Sequence, residues 1–485
     1  MFLNHSPICL GLLLFCLAAC AQMGPAQTAA ATAASLATPT PSPEAASLTV
    51  EGVEATNGRE LHVAKNGSDG GDGSQADPWL TLQHAVDQAQ PGDTILVHEG
   101  EYAGCRIERS GTAARPITLQ AAPGETAVIS SPGSKNKHES NIEIETWEGD
   151  GRVAHWIISG FEVRDAPGWG IDSRGSEGNH NQHITIRNNH VHHNGLDSGK
   201  TGIFAAFSDH VRIENNESFA NGEHGIYINN SSDHFTIRGN HLYDNAAAGI
   251  HLNGDASLGG DGMMSNGTIG ENHIHDNGRA GGAAINMDGV EDTLVANNLI
   301  YDNHASGIAI FQEDGAACSR RNHIWFNTVL MPDDGRWALI INGPECEDNQ
   351  LFNNILLSDH EWRGSINIAT GQAPGLKSDY NITSDRFTTD DGDSVLTLAE
   401  WQALGYDANS FIAEADELFI SATDDDYRLR PGSPAIDVGK ELPEITADFS
   451  GAPRPWGDGF DIGAYELSAD AQSNVYWLPI VTRGS

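Results

Sequence analysis

Basic residues are scarce. The 485 residues include 26 Lys and Arg against 67 Asp and Glu, a formal net charge of −41. So little positive charge leaves no basic stripe for a polyphosphate, which argues against binding to nucleic acid or direct docking on an anionic membrane surface. Cysteine is also scarce. Of six, Cys9, Cys16 and Cys20 lie in the first 20 residues, and only Cys105, Cys318 and Cys346 remain for the rest. No Cys/His spacing fits a zinc site. The only long apolar run, 8–17, is too short to span a bilayer and is interrupted by Cys9, Gly11 and Cys16. The centre of the chain lacks any stretch of helical period. Hydrophobic residues make up 39% and charged residues 19%, so the chain is not a disordered polyelectrolyte.

What is present begins with a processing signal. Residues 1–20 read as a secretory signal. Leu17-Ala18-Ala19-Cys20 resembles a bacterial lipobox, in which Cys20 takes the lipid and becomes the mature N-terminus. The segment before it has no Lys or Arg, only His5, so ordinary secretion is the alternative. Either way the protein is expected to be exported, reaching a membrane only through a lipid anchor. Residues 21–57, with Thr38-Pro39-Thr40-Pro41-Ser42-Pro43, suit an extended tether. Residues 58–467 form the main domain, expected to be a monomer, and 468–485 an apolar tail.

The main domain repeats. Ile186-Arg187-Asn188-Asn189, Ile213-Glu214-Asn215-Asn216, Ile237-Arg238-Gly239-Asn240, Ile269-Gly270-Glu271-Asn272 and Val295-Ala296-Asn297-Asn298 align. So do Trp325-Phe326-Asn327 and Leu351-Phe352-Asn353-Asn354. Successive last asparagines are 24 to 32 residues apart, with two or three short β-branched runs between them. Leucine-rich repeats would show more Leu and a helix, and a propeller blade needs about 40 residues. An all-β, right-handed parallel β-helix solenoid remains. Asn tolerates the left-handed backbone of its turn. On successive rungs, about 4.8 Å apart, its amides can bond in a ladder.

Leu61-His62-Val63-Ala64-Lys65-Asn66-Gly67-Ser68-Asp69-Gly70, Trp79-Leu80-Thr81-Leu82-Gln83-His84-Ala85-Val86 and Pro91-Gly92-Asp93-Thr94-Ile95-Leu96-Val97 resemble the opening of the pectate-lyase-like β-helix superfamily. Asp461-Ile462-Gly463-Ala464-Tyr465-Glu466 is similar to its closing motif. The resemblance covers roughly 60–467. It implies a helix near 80–89 capping the first coil, and an activity among lyases, glycosidases, epimerases or glycan binders. Residues 398–404 could add a short helix around Trp401 in a decorated last coil.

Strand alternation assigns faces. Ile226, Ile228, Ile250, Leu252, Ile285, Met287, Ile308 and Ile310 point inward. Two outward rows result: Asp172, Phe204, Tyr227, His251, Asn286, and Arg174, Ala206, Asn229, Asn253, Asp288, Phe311. His224 precedes one strand, and the longest repeat carries the insertion 255–267. The candidate catalytic residues are His251, His224, Tyr227, Lys200 and Asp288. Those for saccharide contact are Asn229, Asn253, Asn286, Phe311 and Arg174. The other histidines, such as His190, His192, His193, His273 and His275, read as turn and surface residues.

Three functions fit this face. A polysaccharide lyase acting by β-elimination on an acidic polymer needs a carboxylate neutraliser, a base and an acid. His251, Tyr227 or Lys200 could be the base, and Asp255, Asp261 and Asp288 could hold Ca²⁺ as neutraliser, as the resemblance implies. A glycoside hydrolase would pair Asp255 with Asp288, with Asp314 or Glu313 as the third carboxylate. A non-catalytic glycan-binding protein would use the same surface. With so acidic a chain, an acidic polymer would require the bridging cation; otherwise the substrate is a neutral glycan. Cys318 and Cys346 follow equivalent strands on adjacent rungs and are expected to bridge, leaving Cys105 as a free buried thiol.

Overall fold

The computed structural model describes residues 58–146 and 151–467. Cys20, the tether and the apolar tail lie outside them. Each coil gives one strand to each of three parallel sheets, of 13, 11 and 12 strands. Their inward side chains are Ile, Leu and Val with almost no exposure, so one apolar column fills the right-handed β-helix. Burying such a side chain contributes about 1.5–3 kcal/mol. The expected N-terminal helix runs Leu82–Gln88, capped by the Thr81 hydroxyl on the backbone N–H of His84, and its Leu82, Ala85 and Val86 close the first coil. The second expected helix is Leu398–Ala403, with a capping box between Thr397 and Glu400 and a buried Trp401.

The asparagines form the expected ladder. Asn189, Asn216, Asn240, Asn272, Asn298, Asn327, Asn354 and Asn381 are buried, and each amide donates to the side-chain oxygen of the next at 2.9–3.1 Å. Each also donates to a backbone carbonyl of the previous coil, as Asn272 does to Ile237 at 3.0 Å. The left-handed residue is not the laddered one but its predecessor: Asn188, Asn215, Gly239, Glu271, Asn297, Phe326 and Asn353 have φ between 54° and 66°. A second ladder, unread in the sequence, links Asn194, Asn221, Asn245, Asn277 and Asn303 at 2.9–3.1 Å.

The histidines divide differently from the expectation. His190, His192, His273 and His275 lie on strands of the third sheet, and only His193 takes a left-handed turn geometry. His155, His183, His210 and His234 occupy one left-handed position in successive coils, and their rings stack 4.6–4.7 Å apart.

Cys318 and Cys346 are bridged, their Cα atoms 4.8 Å apart. Cys105 is free and fully buried, and burial pushes its thiol up to about 12, which keeps it a thiol.

Candidate active site

The second sheet carries the candidate face, and its register matches the rows read from the sequence. Asp172 pairs with Phe204, Phe204 with Tyr227, Tyr227 with His251, and His251 with Asn286. The parallel row runs Arg174, Ala206, Asn229, Asn253, Asp288, Phe311. Period-two alternation fixes both rows, because the intervening Ile, Leu and Met are held in the core.

Along this face a cationic and aromatic segment adjoins a polar one. The Arg174 guanidinium lies 4.2 Å from the Trp169 ring centre and 4.5 Å from that of Phe204, and the Lys200 ammonium sits 4.7 Å over Trp169. Phe204 meets Tyr227 edge-on at 5.3 Å, and Tyr227 meets His251 edge-on at 4.7 Å. His224 stacks on His251 at 4.6 Å. The Tyr227 hydroxyl accepts the amides of Asn253 at 3.2 Å and Asn229 at 3.4 Å. Burial raises its proton affinity further, so it is a protonated donor at neutral pH.

His251 is pushed down to about 4 by burial, and His224 falls well below the usual range through burial and the neighbouring His251. Both are neutral at pH 7. The Asn286 amide lies 3.2 Å from His251 Nδ1 and sets its tautomer. The amide nitrogen donates, so Nδ1 is the acceptor and Nε2 carries the hydrogen.

These depressed values predict acid lability. Between about 6.5 and about 4 the unfolded chain binds protons that the folded chain refuses, so stability falls as pH falls through that window. His251 alone should account for about 2 kcal/mol. Urea midpoints measured from pH 7 to pH 4.5 should drop, and His251→Gln should flatten the slope. A slope unchanged in that variant would contradict the assignment.

Three buried polar atoms on this face have no hydrogen-bond partner: Asp172 Oδ1, Arg174 Nη2 and Asn229 Oδ1. Native interiors leave few such atoms, because each costs about 1–3 kcal/mol. An acceptor, a donor and an acceptor, all flanking the aromatic belt, match the complementary groups of a polyhydroxylated ligand. Asp172 is buried and its carboxyl raised by that burial, against the pull of Arg174, whose Nε donates to it at 2.8 Å. Sequence reading missed Trp169, whose one signal is its place just before the strand entrance at Gly170.

The proposed acidic triad does not come together. Asp288 is 2% exposed, and its carboxylate accepts the backbone N–H groups of Glu313, Asp314 and Gly315 at 2.9, 2.7 and 3.2 Å. It is a loop anchor, with three of its about four acceptor positions taken by backbone N–H groups. Asp255 accepts from the backbone N–H and hydroxyl of Ser257 and from Asn230, while Asp261 accepts from the backbone N–H of Met263. Asp255 and Asp261 each close a turn of their own loop, and Asp288 holds the loop of the next coil. Among the described residues the only convergent group of three or more His, Cys, Asp or Glu ligands is a histidine set on the third sheet. Asp255, Asp261 and Asp288 are thus not gathered round one point as a ready-made Ca²⁺ site. Asp314 does reach the face, accepting from Asn253 at 3.3 Å. Phe311 stands half-buried at the strand end, beyond Asp288.

Asp288→Ala should free that loop. Three buried or part-buried donors lose their acceptor, at a cost of about 2–4 kcal/mol. Hydrogen exchange at residues 313–315 should accelerate while the Asn ladder stays protected; unchanged protection there would contradict the anchoring role.

Residues 61–220 match the family model described as "Pel9A-like, right handed beta helix region". The chain folds as a right-handed parallel β-helix, and the family likeness lies in that segment. The matched segment carries Asp172, Arg174 and Lys200 and stops before Tyr227 and His251. Among curated proteins the chain is similar to pectate lyase PEL9 of Emericella nidulans, 31% identical over 143 residues, which are 27% of this chain and 34% of that protein. It is also similar to the uncharacterized protein YwoF of Bacillus subtilis, 34% identical over 147 residues, 28% of this chain and 30% of that protein. The chain thus spans about a third of the length of these relatives. Among solved structures, pectate lyase Pel9A superposes with a TM-score of 0.56 at 15% identity, over 85% of this chain and 97% of that one. XylC with xylose gives 0.53 at 13% identity, over 84% and 98%. At these identities the likeness is one of fold.

Proposed function

We propose that this β-helix is an exported polysaccharide lyase that cleaves an acidic polysaccharide by β-elimination. The observation that carries the reading is the set of unpartnered atoms on Asp172, Arg174 and Asn229 beside the Tyr227–His251 pair, on one half-open face. Lys200 brings positive charge to this face, and Arg174, ion-paired with Asp172, still offers its unpartnered Nη2 as a donor, so a uronate carboxylate can be held by side chains alone. His251 takes the proton α to that carboxylate on Nδ1, the lone pair that the Asn286 amide otherwise occupies. The Tyr227 hydroxyl gives its proton to the leaving glycosidic oxygen, the C–O bond breaks and a carbon–carbon double bond forms in the ring. Asn229, Asn253 and Asn286 orient sugar hydroxyls, and His224 buttresses His251 by stacking.

The test is incubation with a panel of uronate polymers, with and without chelator, followed by ultraviolet absorbance. An unsaturated product that persists in chelator is the expected result. Saturated reducing ends, binding without turnover, or activity abolished by chelator would each overturn the reading.

A further inference from the structure

A second constellation lies on the third sheet, apart from the face described above. His273 and His275 are two residues apart on the strand His273–His275, so their side chains leave by the same face. His241 lies on the neighbouring strand and pairs with His273 in register. One ligand nitrogen from each of the three lies within 4.8 Å of the others, and all three residues are half-buried. His241 Nε2 and His275 Nε2 face each other at 2.7 Å.

The surrounding groups set the protons. His275 Nδ1 is 2.8 Å from Asp276 Oδ2, and a carboxylate only accepts, so Nδ1 carries the hydrogen and Nε2 presents a lone pair. His241 turns Nδ1 toward Glu217 Oε1, at 4.0 Å, and Nε2 toward that lone pair. His273 Nε2 is fixed by the Tyr301 hydroxyl at 2.9 Å. Glu217 is itself held by Tyr243 at 2.7 Å. At His275 a carboxylate stands behind the ring and the far nitrogen faces the other histidines, which is how metal-ligating histidines are oriented.

We propose that His241, His273 and His275 form a binding site for a divalent transition-metal ion of the Zn²⁺ class. Three imidazoles with an open fourth position suit such an ion, with metal–nitrogen bonds of about 2.0–2.1 Å. His241 and His273 stack at 4.6 Å with planes 10° apart, so ion binding turns the His273 ring out of the stack and opens the 2.7 Å contact. The set excludes Ca²⁺, which takes oxygen ligands. The site joins the β-helix wall to the C-terminal segment: the His273 ring contacts Phe449 at 6.4 Å and Tyr301 contacts Tyr427 at 4.7 Å.

The experiment uses the full chain without a polyhistidine tag, loaded with Zn²⁺ and passed through gel filtration, with retained metal measured by mass spectrometry. About one equivalent should be retained at neutral pH, and Zn²⁺ should raise the melting midpoint. His241→Ala and His275→Ala should lose both effects, and His183→Ala, in the separate stacked row, should keep them. Co²⁺ loading of the unmodified protein gives a readout independent of variant folding, namely the intense visible absorption of a four-coordinate nitrogen site. Retention below a tenth of an equivalent, equal retention by His275→Ala, or a Co²⁺ spectrum of the hydrated ion would overturn the proposal.

Discussion

Tyr227→Phe is expected to lower turnover on an acidic polysaccharide by about 10²–10⁴-fold while leaving substrate binding nearly unchanged. The substitution removes one oxygen. The ring keeps its edge-on contacts with Phe204 at 5.3 Å and with His251 at 4.7 Å. What is lost is the proton that the leaving oxygen must receive, an interaction made only in the transition state. The amides of Asn229 and Asn253 lose an acceptor, a stability cost of about 1–2 kcal/mol that the long core absorbs. A rise in KM with unchanged kcat would show the hydroxyl to be a binding group, and unchanged kinetics would remove Tyr227 from the reaction.

The second large effect is on stability. Asn272→Ala should destabilise the protein by about 3–5 kcal/mol. Asn272 is fully buried. Its amide donates to Ile237 O and Asn298 Oδ1, and its oxygen accepts from the backbone and side chain of Asn240 at 3.0 Å each. Alanine takes the acceptor from the Asn240 backbone N–H and a donor from Ile237 O, and leaves Asn298 Oδ1 and the Asn240 amide with one partner fewer in a buried interior. The equivalent loss at the ladder's end, Asn381→Ala, should cost less, since Asn381 hands on no amide rung and its neighbours include the polar Ser378, Asp407 and Ser410. Urea unfolding of the two variants measures the difference; equal midpoints would contradict an interior ladder of this kind.

The sequence showed the solenoid and its outward rows because both rest on periodicity. The Asn repeat marks each coil, and the alternation of Ile with polar residues admits one register. It also held a signal left unread: Asn194, Asn221, Asn245, Asn277 and Asn303 each follow a ladder asparagine by five residues. The acidic triad misled because alternation reports a side chain's face and not its partner. Asp255, Asp261 and Asp288 do cluster along the chain, but each carboxylate accepts from nearby backbone N–H groups and the three do not converge on one point. Trp169 and the His241–His273–His275 set were invisible for a related reason. Their meaning depends on what lies on the next rung, and neither interrupts a pattern.

The Asn ladder keeps its contacts within 2.9–3.1 Å although the coils it joins differ in length from 24 to 32 residues. Coil length is therefore decoupled from coil stacking. Residues can be added between two ladder positions, as at 255–267, without moving the strands on either side. The wall of the β-helix behaves as a rack of fixed shelves, and its loops are exchangeable fittings. Changing substrate on such a scaffold requires no redesign of the core, only a different loop on the right shelf.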